Sequence, residues 1–398
     1  MEAPQSCSGR AEHLVPQPAF PGWSEYHSLF SSQQVIWLNH AGVSPISRPV
    51  AEAMQTYTED VLDYGAARIA DWYGLIRSVK RLAGALLGCG LPDLSITPNT
   101  THGVNLVANG LRWKEGDEIL LCNKEYPANV YPWWAQQSKG ARLVWVEARA
   151  DGRIPVEDYA ARMTDRTRVV AVSHVQFSSG YRHNLAALGE ACRRHGALLF
   201  VDAIQSFGVF DIHIEDWGVD ALTTGAHKWL LGPTGIALFY SSPRLREQMD
   251  ITWVGADSMT DALDYLDYKF ELLPDGRCFE NACLNFAGIA GLRAALEVVQ
   301  RFGREGIESQ IYEATERLSH LLSPFGFAIH SPRGEDEWSG ILSVTHPDHT
   351  PESLSSRLKA QGIITSVRDH RWRLSPHAYH DEEQFETIIE AIKEAAAG

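Results

Sequence analysis

The stretch LLFVDAIQSFGVFDIHIEDWGVDALTTGAHKWLLGPTGIALFY, Leu198–Tyr240, decides the architecture. Its first run, Ala197 to Asp202, is short, β-rich and free of charge until it ends on an aspartate, so it reads as a buried strand that delivers Asp202 to its carboxyl end. That edge is where open α/β sheets bind their ligands. Lys228 follows Asp202 by 26 residues, within Gly225-Ala226-His227-Lys228, and Gly232-Pro233-Thr234-Gly235 then turns the backbone tightly beside it. A further strand runs from Gly235 to Tyr240. Upstream, Glu118 to Asn123, Arg142 to Glu147 and Val169 to Val175 read as strands separated by longer helical stretches. Leu185 to His195 has helical apolar spacing and stops at Gly196, a natural C-cap. Strands alternating with helices predict an α/β fold with a mainly parallel sheet.

Beyond about Ser242 the pattern loosens. A long helix over Asn285 to Phe302 leads into mixed elements that end in Glu382 to Ala397, which predicts a smaller α+β domain. The organisation expected is an N-terminal arm (1–30), a large α/β domain (31–255) and a small C-terminal domain (256–398). With 398 residues, 44% of them hydrophobic, the chain has the material for more than one core. Its formal charge of -15, from 35 basic and 50 acidic residues, repels nucleic-acid phosphates and anionic membranes. Neither is expected as a partner. Met1 to Arg10 lacks a basic segment followed by an apolar one, and no run reaches membrane-spanning length, so a cytoplasmic protein is expected. Six cysteines without a CxxC pair read as reduced thiols, and 16 histidines without zinc-ligand spacing predict no metal site.

Asp202 and Lys228 together suit pyridoxal 5'-phosphate (PLP). A lysine amine must condense with the aldehyde as a Schiff base, and a carboxylate must keep the pyridine nitrogen protonated so that the ring accepts electrons from the substrate. Gln205, one short turn past Asp202, is placed to hydrogen-bond the phenolic oxygen. A phosphate needs a helix N-terminus, where free N–H groups and the dipole favour an anion. Thr97-Pro98-Asn99-Thr100-Thr101-His102-Gly103 supplies one, with Asn99 as cap and two hydroxyls in the first turn.

From Leu38-Asn39-His40-Ala41-Gly42 to Arg373-Leu374-Ser375-Pro376-His377-Ala378-Tyr379, with Asp202-Ala203-Ile204-Gln205 and His227-Lys228 between, the sequence resembles the class V aminotransferase family of fold-type I PLP enzymes. That family includes cysteine desulfurases, selenocysteine lyases and isopenicillin N epimerase. The resemblance implies a homodimer acting on a small amino-acid substrate. It implies that Thr100, Thr101 and His227 hold the cofactor phosphate, that Tyr126 in Glu125-Tyr126-Pro127-Ala128-Asn129 covers the cofactor face, and that Arg373 binds the substrate α-carboxylate, with Asn39 and Gln176 beside it. Arg368 and Arg371 are competitors for Arg373; only a guanidinium offers the planar fork a carboxylate fits.

Departures from the family pattern narrow the chemistry. Desulfurases carry histidine where Tyr126 stands, and a phenol with an ordinary pKa near 10 is a poorer proton shuttle. Cys283 stands where a threonine of the family reaches the neighbouring subunit's phosphate, and it is a weaker donor. Phe177 takes the place of an asparagine, leaving Gln176 as its substitute. No cysteine follows Cys283, whereas persulfide-forming desulfurases need a mobile one there, so that activity is disfavoured. Transamination, β-elimination from a cysteine-type substrate and epimerisation can all use Lys228 as base and Asp202 behind the electron sink. The order of expectation is amino-group transfer, then β-elimination, then epimerisation. The set of Lys228, Asp202, Gln205, His227 and Arg373 argues against a non-enzymatic PLP-binding protein.

Overall fold

A computed structural model describes residues 22–30, 34–262, 264 and 266–397. Residues 1–21 of the N-terminal arm lie outside them. Seven strands form the central sheet: β1 (Leu94–Thr97), β2 (Glu118–Cys122), β3 (Arg142–Val146), β4 (Thr167–Ser173), β5 (Leu198–Asp202), β6 (Ala221–Gly225) and β7 (Ala237–Ser241), in the order β1-β7-β6-β5-β4-β2-β3. The pairings β3–β2–β4–β5–β6 are all parallel, and β7 runs antiparallel to both β6 and β1. The mainly parallel sheet expected from the alternating pattern is present. β6 was not expected: Ala-Leu-Thr-Thr-Gly shows no apolar alternation, because it lies near the middle of a sheet covered on both faces.

Alternate residues of each strand feed two separate cores. Leu120, Val170, Val172, Leu199 and Val201 pack on one face of the sheet, and Ile119, Leu121, Val169, Ala171, Leu198 and Phe200 on the other. This is the period of two that a pleated strand imposes. The helix Phe286–Phe302 packs on helices Arg48–Tyr64 and Ile69–Leu87. In the helix Thr100–Gly110, a Cβ at Gly103 would stand 2.4 Å from Thr223 Oγ1, so only glycine lets this helix settle on β6.

A second, four-stranded antiparallel sheet comprises β8 (Ala328–Ile329), β9 (Leu342–Thr345), β10 (Ser366–Arg368) and β11 (Arg371–Leu374), in the order β10-β11-β9-β8. Leu342, Val344, Trp372 and Leu374 join Phe385, Ile388 and Ile392 of the last helix in a third core. Ile36–Trp37, read from sequence with the large domain, pairs in parallel with Ile363–Ile364, and Leu38 enters this third core. The helix Trp23–Ser28 is tied down by aromatic contacts, Tyr26 on Phe302 (4.7 Å between centroids), while Phe30 just beyond it stacks on Tyr379 (4.0 Å). No helix among the described residues is long and apolar enough to cross a membrane.

Candidate active site

The carboxyl ends of β2, β4, β5 and β6 point the same way, and the loops that leave them enclose a cavity of about 520 Å³. Its wall includes Asn39, Thr100, Thr101, Tyr126, Asp202, Gln205, His227, Lys228, Arg368 and Arg373. Of the candidate cofactor- and substrate-binding residues read from the sequence, all but Gln176 line this space; Arg371, a competitor for Arg373, and Cys283 do not.

Asp202 ends β5 and is 2% exposed. Its Oδ1 accepts the Ile204 N–H at 2.9 Å. Burial raises its pKa to about 7, against the backbone N–H and the Lys228 charge, which favour the carboxylate. Lys228 is the converse: burial brings its pKa down to about 8, with Asp202 acting to raise it and Arg373 and Arg368 to lower it further. An amine near pH 8 is partly neutral under ordinary conditions, as a nucleophile and base must be. The turn after it closes through Leu231, whose φ of 56° is left-handed, and Gly232 N–H donates to Ala226 O at 2.9 Å.

Gln205 is held at both ends of its amide. Nε2 donates to Ala41 O (3.0 Å), and Oε1 accepts the Trp229 indole N–H (2.8 Å). One amide proton is left for a group in the cavity. Tyr126 is half-exposed, its ring 5.6 Å from Lys228 Nζ and edge-on to Phe177 at 5.2 Å. The site for an anion is also prepared. Asn99 caps the helix Thr100–Gly110 by accepting His102 N–H at 2.9 Å, and Thr100 Oγ1 is buried with no hydrogen-bond partner. An unpaired buried hydroxyl at a helix N-terminus fits a phosphate oxygen. His227 is kept neutral by burial and by the Lys228 charge, which lower its pKa to about 4. The donor set therefore fits PLP: Thr100, Thr101 and His227 would receive the phosphate, Asp202 the pyridine nitrogen and Lys228 the aldehyde.

Arg373 is 1% exposed. It donates from Nε to Ser366 Oγ (3.1 Å), from Nη1 to Phe177 O (2.7 Å) and from Nη2 to Asn39 Oδ1 (3.1 Å). All three acceptors are neutral. Burial and the Arg368 charge press its pKa down, yet no carboxylate among the described residues forms an ion pair with it. A buried guanidinium held in place by neutral groups is a prepared carboxylate receptor. Arg373→Lys is expected to raise the KM for an amino acid roughly 10- to 100-fold, the worth of charge-assisted hydrogen bonds, with kcat changed much less. Steady-state kinetics check this, and an unchanged KM would remove Arg373 from the substrate site.

Gln176 requires correction. It is fully buried and its Nε2 donates at 2.6 Å to Glu125 Oε1, away from the cavity; Phe177 lines the wall instead. Glu125 was read only as part of the Tyr126 segment. Its buried carboxylate accepts from Ser173 N (2.8 Å), Ser173 Oγ (2.5 Å), Asn129 Nδ2 (3.0 Å) and Gln176 Nε2, and burial raises its pKa. It thus ties the Tyr126 loop to the end of β4 and to the loop whose Phe177 carbonyl holds Arg373. Arg368, read as a competitor of Arg373, lines the cavity together with it. Period-two spacing on either side of a two-residue turn was the available signal, since it puts both on one face of the hairpin.

The Aminotransferase class-V profile matches residues 36–373, from the segment before Asn39 to Arg373 itself. The chain belongs to this family. Within it, a probable cysteine desulfurase of Pyrococcus abyssi (strain GE5 / Orsay) is 26% identical over 386 residues, covering 91% of this chain and 94% of that protein. The uncharacterized aminotransferase YcbU of Bacillus subtilis (strain 168) is 26% identical over 375 residues, covering 92% and 96%. The apo structure of cysteine desulfurase from Thermococcus onnurineus NA1 superposes with a TM-score of 0.84 at 25% identity, over 92% of this chain and 95% of that one. The fold-type I architecture expected for a class V member is the one found. Two of these three relatives carry the desulfurase name, which stands against the expectation that a persulfide-forming desulfurase is disfavoured.

Proposed function

We propose that this class V family member is a PLP-dependent enzyme that transfers the amino group of an α-amino acid. The observation that supports it is the prepared pair of receptors in one cavity: the Lys228–Asp202 pair at the floor, and beside it the buried Arg373 guanidinium with no anion of its own. Bound PLP supplies an electron sink for negative charge developing at the substrate α-carbon. Arg373 and Asn39 orient the substrate by its carboxylate. Lys228 Nζ is the group placed to hold the proton taken from the substrate α-carbon and to give it up again in the transfer. With the cofactor bound, Asp202 would keep the pyridine nitrogen protonated, Gln205 would donate to the phenolic oxygen, and the Tyr126 ring would cover the face of the site and limit water.

Elimination of a β-substituent from a cysteine-type substrate is the second reading: the same base at the α-carbon serves it, and the desulfurase names among the relatives point to a cysteine-type substrate. A persulfide relay is set aside: no thiol lines the cavity among the described residues, and β10 and β11 are joined by Asp369 and His370 alone. The test is to supply the cofactor-loaded protein with single amino acids, with and without a keto acid. Transfer predicts about one keto acid per chain without an acceptor and continuous turnover with one. Elimination predicts steady release of ammonia and pyruvate without any acceptor. Failure of both for every amino acid would overturn the reading.

A further inference from the structure

The cavity wall carries one guanidinium to which the proposed chemistry gives no role. Its charged wall consists of Asp202, Lys228, Arg368 and Arg373. In the proposed chemistry Asp202 serves the pyridine nitrogen, Lys228 the aldehyde, and Thr100, Thr101 and His227 the phosphate, while Arg373 answers the substrate α-carboxylate. Arg368 donates only to the carbonyl of its own neighbour, Val367 (2.7 Å), and no carboxylate among the described residues stands within ion-pair distance of it. The acid next to it in sequence is engaged elsewhere: Asp369 pairs with Lys124 at 3.0 Å, across to the loop that carries Tyr126. The turn itself is costly, since Asp369 and His370 both adopt left-handed φ values of 49° and 58°. In exchange it brings Arg368 opposite Arg371 and Ser366 opposite Arg373, so that Arg368 and Arg373 project from one face of the hairpin. The Arg368 charge is felt at both Arg373 and Lys228.

We infer that Arg368 is the subsite for a second anionic group on the substrate side chain, which makes the substrate an acidic α-amino acid: a carboxylate, sulfinate or sulfonate beyond the α-carbon. This rests on the reading of Arg373 as the α-carboxylate anchor. One guanidinium takes each anion, and a neutral side chain leaves Arg368 unanswered at the mouth of the cavity.

The test measures binding to the cofactor-loaded protein by calorimetry, using succinate and glutarate against butyrate, which carry no amino group and do not react. The native protein is expected to bind a diacid roughly 10- to 100-fold more tightly than the monoacid, the scale of a charge-assisted pair. Arg368→Gln is expected to abolish that preference while weakening butyrate far less than the diacids. Arg368 is exposed and bonded only to its own strand, so the variant keeps the fold. In turnover, kcat/KM for aspartate over asparagine and glutamate over glutamine should fall by the same factor. Equal weakening of diacid and monoacid, or no diacid preference in the native protein, overturns the inference. So does a loss of PLP affinity by equilibrium dialysis with the diacid preference intact, which assigns Arg368 to the cofactor phosphate. A protein that turns over no amino acid yet keeps an Arg368-dependent diacid preference sinks the transfer reading alone. Turnover of neutral amino acids without that preference sinks the subsite alone.

Discussion

Replacing Lys228 by alanine is expected to lower turnover by about 10³-fold or more, within the range that one positioned acid–base group contributes, and to end covalent retention of the cofactor. Lys228 Nζ makes no ion pair with Asp202 among the described contacts, and burial already presses its pKa down to about 8. Removing the amine therefore removes a desolvated cation from the cavity wall, and the melting temperature should change little. Asp202 loses the charge that helped keep it ionised, so its proton affinity rises further in the variant. Borohydride reduction followed by mass spectrometry reads the attachment directly: the native chain gains the cofactor's mass and the variant does not. Native-like turnover in Lys228→Ala would falsify the assignment of this lysine and with it the proposed chemistry.

A second large effect is expected in acid. Behind Lys228, the neighbouring Trp229 is held by a buried histidine cluster. His377 Nε2 pairs with Trp229 O (3.0 Å), His40 with Ser375 O and Tyr379 Oη (2.8 Å each), and His380 with Trp37 O (3.0 Å). Burial is the largest cause of the low pKa of each: about 3 for His377, about 4 for His380, and well below the ordinary value for His40. His183 is lowered to about 4 and His174 well below 6.5 by the same cause.

These groups are neutral in the fold and titrate near 6.5 when unfolded, so between those values the unfolded chain binds more protons. Stability is then full above about pH 6.5 and is lost as the pH falls toward 4, each such histidine costing about 1.4 kcal/mol per pH unit. Glu125, Asp202 and Asp220 oppose this, because burial raises their folded pKa values, but they are outnumbered by the five histidines. The melting temperature of the cofactor-loaded protein is expected to fall by roughly 5 to 10 °C between pH 7.5 and 5.5, measured by calorimetry. His377→Gln should flatten the slope. A flat or rising profile would show that the cluster is not neutral in the fold. Because Trp229 orients Gln205, activity should fail along with stability rather than after it.

Local order was legible where the chemistry is local. Ala197 to Asp202 reads as a buried strand because it is apolar and bounded, Asn99 reads as a cap from its side chain, and Lys228 reads as special from the glycines that follow it. Each depends on neighbours within a few residues. β6 escaped because a strand covered on both faces has no alternation to display, and Gln176 stands off the cavity because its amide is taken by Glu125 while the turn that begins at Phe177 brings that ring to the wall. Pattern alone did not decide which of Gln176 and Phe177 faces the cavity.

By itself the sequence determined the α/β class and the candidates Asp202, Gln205 and Lys228, which follow from residue type and spacing, while the family resemblance carried by its motifs implied His227 and Arg373. Tertiary structure alone decided which charges remain unanswered. Arg373 is prepared for an anion because Ser366 on the paired strand, together with Asn39 and the Phe177 carbonyl from two distant segments, holds it without neutralising it. Arg368 is free because Lys124, far away in sequence, takes Asp369. Charge compensation depends on distance in space and on burial, and neither is written in the spacing of residues along a chain.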